Sequence, residues 1–475
     1  MSSTPPHSDQ PAATRVRYMV AALIASGAVS LYLTRHCLAV TNEAIQQELG
    51  FGSTAMGAVM SLFSLGYLLF QVPGGWLGNR IGSRWGLTLL SIAWSLLTLA
   101  TAAAHGLVPL KVIRFLFGAV QAGFVPITFK ILKDWFPEKQ WGLMSAFVGI
   151  SMSIGGALAM DVTGRLTGHF DWRVIFQVYT IVAIFWSVAF LTLFRNKPSE
   201  HPWANDAERD LIRSSPLPDT VDPGPFFTRR NLLFAFCSVN LWAICLQAFC
   251  RAAGYNFFVT FFPEFLSRQF ADVDAELAGI YTKWPLIGAV VGGLVGGMLI
   301  DWLLKRTGSK RISRTSVAVV SLILTAILTY LSAQAVTPAG FVTLIALGAT
   351  FAGFASPATW AATLDVSGRH TAVLAGIMNM AGCLSGVLVT PILGGMMDIL
   401  KGTSNEVTVR VMGMDLVHLD DTQITDWNQV VYMHAAFYLA AAICWMFVRP
   451  SRAVVPDPEP LNSNLHPDKD SADAV

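Results

Sequence analysis

The chain has 475 residues, of which 53% are hydrophobic and 13% charged, with a formal net charge of +2. Soluble domains carry roughly a quarter charged residues, so a water-solvated fold is excluded, and so small a net charge gives no reason to expect a nucleic-acid partner. Roughly a dozen apolar stretches of about 20 residues each predict an all-α polytopic membrane protein whose solvent is the lipid bilayer.

The first sixteen residues are polar and Pro-rich and read as a cytoplasmic tail, not a signal peptide. Spans follow near 17–38, 54–77, 85–106, 109–132, 142–165 and 172–194. Six more are predicted near 232–262, 277–303, 315–335, 339–361, 371–399 and 430–448. Between the two sets, residues 195–230 hold Pro198, Pro202, Pro216, Pro218 and Pro223 and read as a cytoplasmic linker. The expected organisation is an N-terminal six-helix bundle (17–194), the linker, a C-terminal six-helix bundle (231–449) and a cytoplasmic tail (450–475). Lys and Arg are denser in the loops on the side of the termini, including Arg229, Arg230 and the run from Lys305 to Arg314, which places both ends in the cytoplasm. The outer loop 401–429 is acidic, with Glu406, Asp415, Asp420, Asp421 and Asp426, and reads as solvated.

At near-middle depths the sequence places Arg35, Lys130, Arg251 and Lys283. Buried cations are costly unless they face a polar cavity or an anion, so the pattern points to an anion transporter. Lys130, near the inner end of its span, is expected to snorkel to the headgroups. Small residues recur at helix-contact spacing, as in Gly288, Gly292, Gly293, Gly296 and Gly297, and in Gly376, Gly382 and Gly386. The six cysteines fall in apolar stretches without metal-ligand spacing and read as packing residues. No phosphate-cradling loop and no catalytic constellation is present, so neither ATP use, nor a cofactor, nor an enzyme is expected. No loop or tail is long enough for the output domain of a sensor, and a channel would not need two equivalent halves.

Gly78-Asn79-Arg80-Ile81-Gly82-Ser83-Arg84 resembles the loop signature of the major facilitator superfamily, and Gly297 to Arg306 resembles its second-half counterpart. Further stretches resemble the anion:cation symporter branch, which includes bacterial galactonate, glucarate and hexuronate transporters, sialin and the vesicular glutamate transporters. They are Tyr32-Leu33-Thr34-Arg35, Pro73-Gly74-Gly75, Trp135-Phe136-Pro137, Asn196 to Pro202 and Pro357 to Val366. Their ordered co-occurrence over nearly the whole chain is the specific signal. The resemblance implies two six-helix halves rocking about a central site for a sugar acid, such as an aldonate, uronate or aldarate, in a bacterial inner membrane. A monomer is expected.

By the same resemblance, Tyr32, Arg35, Tyr67, Thr359, Trp360 and Asn379 contact substrate, while Arg80, Arg84, Asp301 and Arg306 belong to the cytoplasmic gate, to which Asp365 is added. Arg35 has an independent argument, because its planar fork matches a carboxylate. Two departures matter: where the branch usually carries proton-binding acids, this chain has Thr34 and Gln121, and the first-half loop acid is Asn79. Proton coupling would then need another group. Asp161, with Arg251 or Lys283 as its counter-charge, and His36, which helical spacing points away from the Tyr32–Arg35 face, are the candidates. The alternative is uniport or anion exchange of a carboxylate or phosphate.

Overall fold

The computed structural model describes residues 12–51, 53–213, 226–260, 262–273, 275–400, 402, 405–411 and 414–455. Pro216, Pro218 and Pro223 of the expected linker, with the outer parts of both tails, lie outside them. The first half comprises α1 (Val16–Val40), α2 (Asn42–Leu49), α3 (Ser53–Leu69), α4 (Gln71–Ala102), α5 (Leu107–Gln121), α6 (Phe124–Trp135), α7 (Trp141–Thr167) and α8 (Trp172–Leu193). After α9 (Asp206–Arg213) come α10 (Arg229–Cys237), α11 (Val239–Thr260), α12 (Phe262–Gln269), α13 (Ala275–Thr307) and α14 (Val317–Ser332). The chain continues through α15 (Pro338–Val366), α16 (Thr371–Leu400), strands β1 (Glu406–Val411) and β2 (Met414–Asp420), and α17 (Asn428–Phe447). Among the described residues, ten helical stretches are long and apolar enough to span a membrane, and an eleventh is the pair α10–α11, bent by 61°. The apolar α3 runs almost directly into α4 and completes the predicted second span.

Each helix satisfies its own backbone, which the bilayer demands. α4 is two helices joined at Gly82, whose φ of +82° lets the chain reverse within the loop signature at no Cβ penalty. Of the predicted glycine rows, Gly288, Gly292, Gly296 and Gly297 of the first and Gly376 of the second stand where a Cβ would collide with a neighbouring helix. A Cβ on Gly292 would lie 1.8 Å from Thr350 O, so α13 and α15 touch backbone to backbone.

Two segments differ from the sequence reading. The seventh span breaks at Ser238, leaving α10 as a separate helix with Leu233 and Phe236 exposed. The acidic outer loop folds part of its length into the antiparallel hairpin β1–β2, whose Val407, Val409 and Leu419 cover Gly395 of α16. Alternation of apolar and polar residues along these strands was the overlooked signal.

Both described chain ends lie at one end of the bundle, the terminal end. Glu208 of α9 accepts from Val16 N and Arg17 N at 3.1 Å and from Arg17 Nη1 at 2.9 Å, so a buried carboxylate caps α1 and ties the linker to it. Removing it leaves two amide donors without partners and the Arg17 guanidinium with only Thr14 O, at 3.3 Å, and no counter-charge. Glu208→Ala is expected to cost about 3–5 kcal/mol, read as a lowered midpoint in thermal unfolding of the detergent-purified protein.

Candidate substrate site

The two halves meet most tightly at the terminal end. Asp301 at the end of α13 accepts from the first amides of α7, Gly142 N at 2.9 Å and Leu143 N at 2.7 Å. Lys310 bridges Glu138 and Asp365 at 3.0 Å each, and Arg314 donates to Asp365 at 3.2 Å. Lys133, which sequence reasoning did not single out, reaches from α6 to Leu364 O at 2.9 Å and Gly368 O at 2.7 Å. Of the residues expected in the gate, Asp301 therefore joins the halves directly, and Asp365 does so only through Lys310, which also meets Glu138. Arg84 instead binds Leu191 O within the first half, at 2.9 and 2.7 Å, while Arg80 and Arg306 are exposed beside Trp76 and Trp302. Asn79 is half-buried, with both amide atoms shielded from solvent and neither partnered.

Beyond this seal lies a cavity of about 850 Å³ between the halves. Phe129 of α6 and Trp360 of α15 stack across its floor at 3.7 Å, nearly parallel. Away from the terminal end its wall carries exposed Met160 and Tyr255. The wall also holds Tyr32, Arg35, Tyr67, Trp360 and Asn379, five of the six residues expected to contact substrate. Thr359 is the exception. It is fully buried and donates to Ala355 O at 2.9 Å and Gln247 Oε1 at 3.3 Å, so it ties α15 to α11 and does not reach the cavity.

Arg35 is the centre of the first-half wall. Its guanidinium lies over Tyr32 at 5.0 Å, Phe63 at 5.1 Å and Tyr67 at 4.7 Å, and its Nε donates to Gln121 Oε1 at 2.9 Å. Gln121 in turn donates to Thr34 Oγ1 and Leu31 O, both at 3.3 Å. The two positions where proton-binding acids were expected thus touch each other and Arg35, and both are neutral. Each ring is worth about 0.5–2 kcal/mol to the cation, against several kcal/mol for burying an unpaired ion. The rings hold the guanidinium in place but leave its charge to be met by something else.

A second cation was missed in the sequence because it stands near the start of its span. Arg114 of α5 is 4% exposed, lies over rings of the same cluster at 5.0 Å from Phe63 and 4.9 Å from Phe117, and leaves its Nε unpartnered. A single Arg inside an otherwise apolar stretch was the available signal. In the second half, Arg251 of α11 has a buried, unpartnered Nε beside Tyr255 and Tyr438. Among the described residues, none of Arg35, Arg114 and Arg251 has a carboxylate within ion-pair distance.

The candidates for proton coupling separate. Asp161 is paired with Arg165 one turn along α7 at 2.9 Å, on an exposed face, so neither Arg251 nor Lys283 is its partner. Lys283 is exposed beside Trp284, and Lys130 is paired with Asp134 at 2.6 Å. His36 does line the cavity, stacked on Tyr32 at 5.2 Å. One helical turn separates the two rings, so spacing that seemed to turn His36 away instead put it over its neighbour.

Residues 24–391 and 244–470 match the family model described as Major Facilitator Superfamily. The chain belongs to this superfamily. Membership makes it a secondary transporter and not an enzyme. It is 28% identical over 374 residues to the hexuronate transporter of Bacillus subtilis, covering 77% of this chain and 85% of that protein. It is 26% identical over 385 residues to a protein named "Probable sulfoacetate transporter" of Cupriavidus necator, covering 80% and 87%. To the "Probable galactarate/D-glucarate transporter" of Bacillus subtilis it is 28% identical over 417 residues, covering 84% and 89%. Among solved structures, the proton:xylose symporter bound to 6-bromo-6-deoxy-D-glucose aligns with a TM-score of 0.67 at 15% identity, over 93% of this chain and 98% of that one. That likeness concerns the fold.

Gln121→Glu would set a carboxylate where the amide now meets Arg35 at 2.9 Å. Anion affinity at neutral pH is expected to fall about tenfold or more, because the new acid competes for the same guanidinium; isothermal titration of the purified transporter measures it.

Proposed function

We propose that this transporter carries a small organic dianion of the sugar-acid class, an aldarate being the model substrate, by alternating access. The observation that carries the reading is the neutral Gln121–Thr34 pair at Arg35, with Arg251 in the second half equally free of an acid. Two cations on opposite halves, Arg35 on the cavity wall and Arg251 behind the wall residue Tyr255, suit a molecule with an acidic group at each end. Asn379, Tyr67 and Tyr32 offer the donors and acceptors that hydroxyl groups need, and Trp360 a flat apolar floor. The names of the relatives agree: all three are those of acids, and sulfoacetate, galactarate and glucarate each carry two acidic groups.

In this reading the halves 17–194 and 231–449 rock about the cavity, with 195–230 as linker and the terminal end in the cytoplasm of a bacterial inner membrane. The Lys and Arg of that end support the orientation. The protein acts as a monomer.

Proton symport remains part of the proposal, with His36 as the carrier, since it is the one former candidate on the cavity wall. A second reading, exchange or uniport without protons, is favoured by the same neutral cluster, because Thr34 and Gln121 cannot change charge. Proteoliposomes holding a pH-sensitive dye separate the two: internal acidification on adding substrate at clamped potential supports symport, and its absence supports exchange or uniport.

Arg35→Lys is expected to weaken binding of every acid by about tenfold or more while leaving insertion intact, because a point charge does not reproduce a bidentate fork. Near-normal affinity by titration would remove Arg35 from the site. Asp161→Asn is expected to leave both uptake and accumulation of labelled substrate within twofold of wild type, since its pair with Arg165 is exposed and an exposed pair is worth about 0–1 kcal/mol.

A further inference from the structure

Three glycines of α7 stand within about two turns of one another for different reasons. A Cβ on Gly155 would lie 3.0 Å from Val29 Cα and 3.2 Å from Ala28 O, so the contact between α1 and α7 requires it. One on Gly156 would meet the Tyr32 ring at 3.5 Å, an ordinary contact at the level of the Arg35 cluster. Gly149 has neither reason. Its backbone is helical, and a Cβ there would meet nothing within 4 Å.

A glycine inside a helix is destabilising by about 1 kcal/mol relative to alanine. Gly149 brings that cost without a packing contact or a left-handed φ to explain it. What it does have is a place on the cavity wall. It lies about 10 Å along the helix axis from Gly156, toward the end sealed by Asp301 and floored by the Phe129–Trp360 stack. The space it leaves open is therefore the deep end of the cavity, away from Arg35.

We propose that Gly149 is a specificity-determining residue that sets the length of acid the transporter admits. With hydrogen at this position, the bare backbone of α7 leaves room in the deep end of the cavity for the chain of a six-carbon acid held at Arg35. A side chain would occupy that space and leave the Arg35 cluster untouched. Long acids would then be rejected and short ones retained. The inference rests on the reading that a small acidic anion binds in this cavity.

Binding of galactarate, a six-carbon diacid, and sulfoacetate, a two-carbon dianion, would be titrated against the full-length purified protein, wild type and variants. Gly149→Leu is expected to weaken galactarate relative to sulfoacetate by about tenfold or more, with Gly149→Ala intermediate. Gly164→Leu is the control, since Gly164 also has open space at its Cβ position but lies on α7 outside the cavity, and it should change neither. An equal effect on both acids, or none, overturns the proposal. So does unchanged binding of both with transport lost, which would make Gly149 a contact glycine of another state in the cycle. Arg35→Lys separates the two levels of inference: loss of both acids there, with no length dependence at Gly149, sinks the length filter alone. Failure of the wild type to bind either acid sinks the substrate reading and the filter with it.

Discussion

The structure turns on a guanidinium held deep in a membrane protein without an acid beside it. Burying a charge in a low-dielectric interior costs several kcal/mol unless an opposite charge or many dipoles compensate. At Arg35 compensation comes from three aromatic faces and one amide oxygen, enough to fix the fork and too little to neutralise it. Arg114 lies over the same Phe63 ring, so one phenyl group is shared by two cations. That arrangement is an unfilled demand for negative charge, and the cavity is the place from which it can be met.

The opposite end of the cavity shows the contrary logic. There the charges are matched: Lys310 between two carboxylates, Arg314 with Asp365, and Asp301 on the positive end of α7. Burial near a solvated end favours closed ion pairs that seal, whereas burial at mid-depth favours open cations that bind. Burial pushes down the proton affinity of Lys310, yet Asp365 and Glu138 together raise it further, so the bridge stays charged across the neutral range.

Much of this was legible in the residues. Span positions follow from hydropathy, the reversal at Gly82 from its place in the loop signature, and Arg35 from the implausibility of a lone cation in lipid. What stayed hidden depended on partners distant in sequence. Thr359 carries the right hydroxyl, but Gln247, more than a hundred positions away, claims it. His36 was judged by its angle on one helix, when its stacking on Tyr32 decided its direction. Arg114 was passed over because it stands close to a predicted helix end, and only the packing of α3 against α5 shows that this end is interior. Asp161 was given a remote counter-ion when a nearer one, Arg165, lay one turn away.

All six cysteines are free thiols, and one of them, Cys383, lies on the cavity wall near Asn379. Among the described residues, the Asp301 and Lys133 contacts close the terminal end, so the cavity lined by that sulfur faces the opposite side in this conformation. The protein therefore carries its own reporter. With the exposed Cys237 replaced, a water-soluble, membrane-impermeant thiol reagent would, in the proposed rocking cycle, reach Cys383 from one face of the bilayer and then from the other, and a bound anion would shield it.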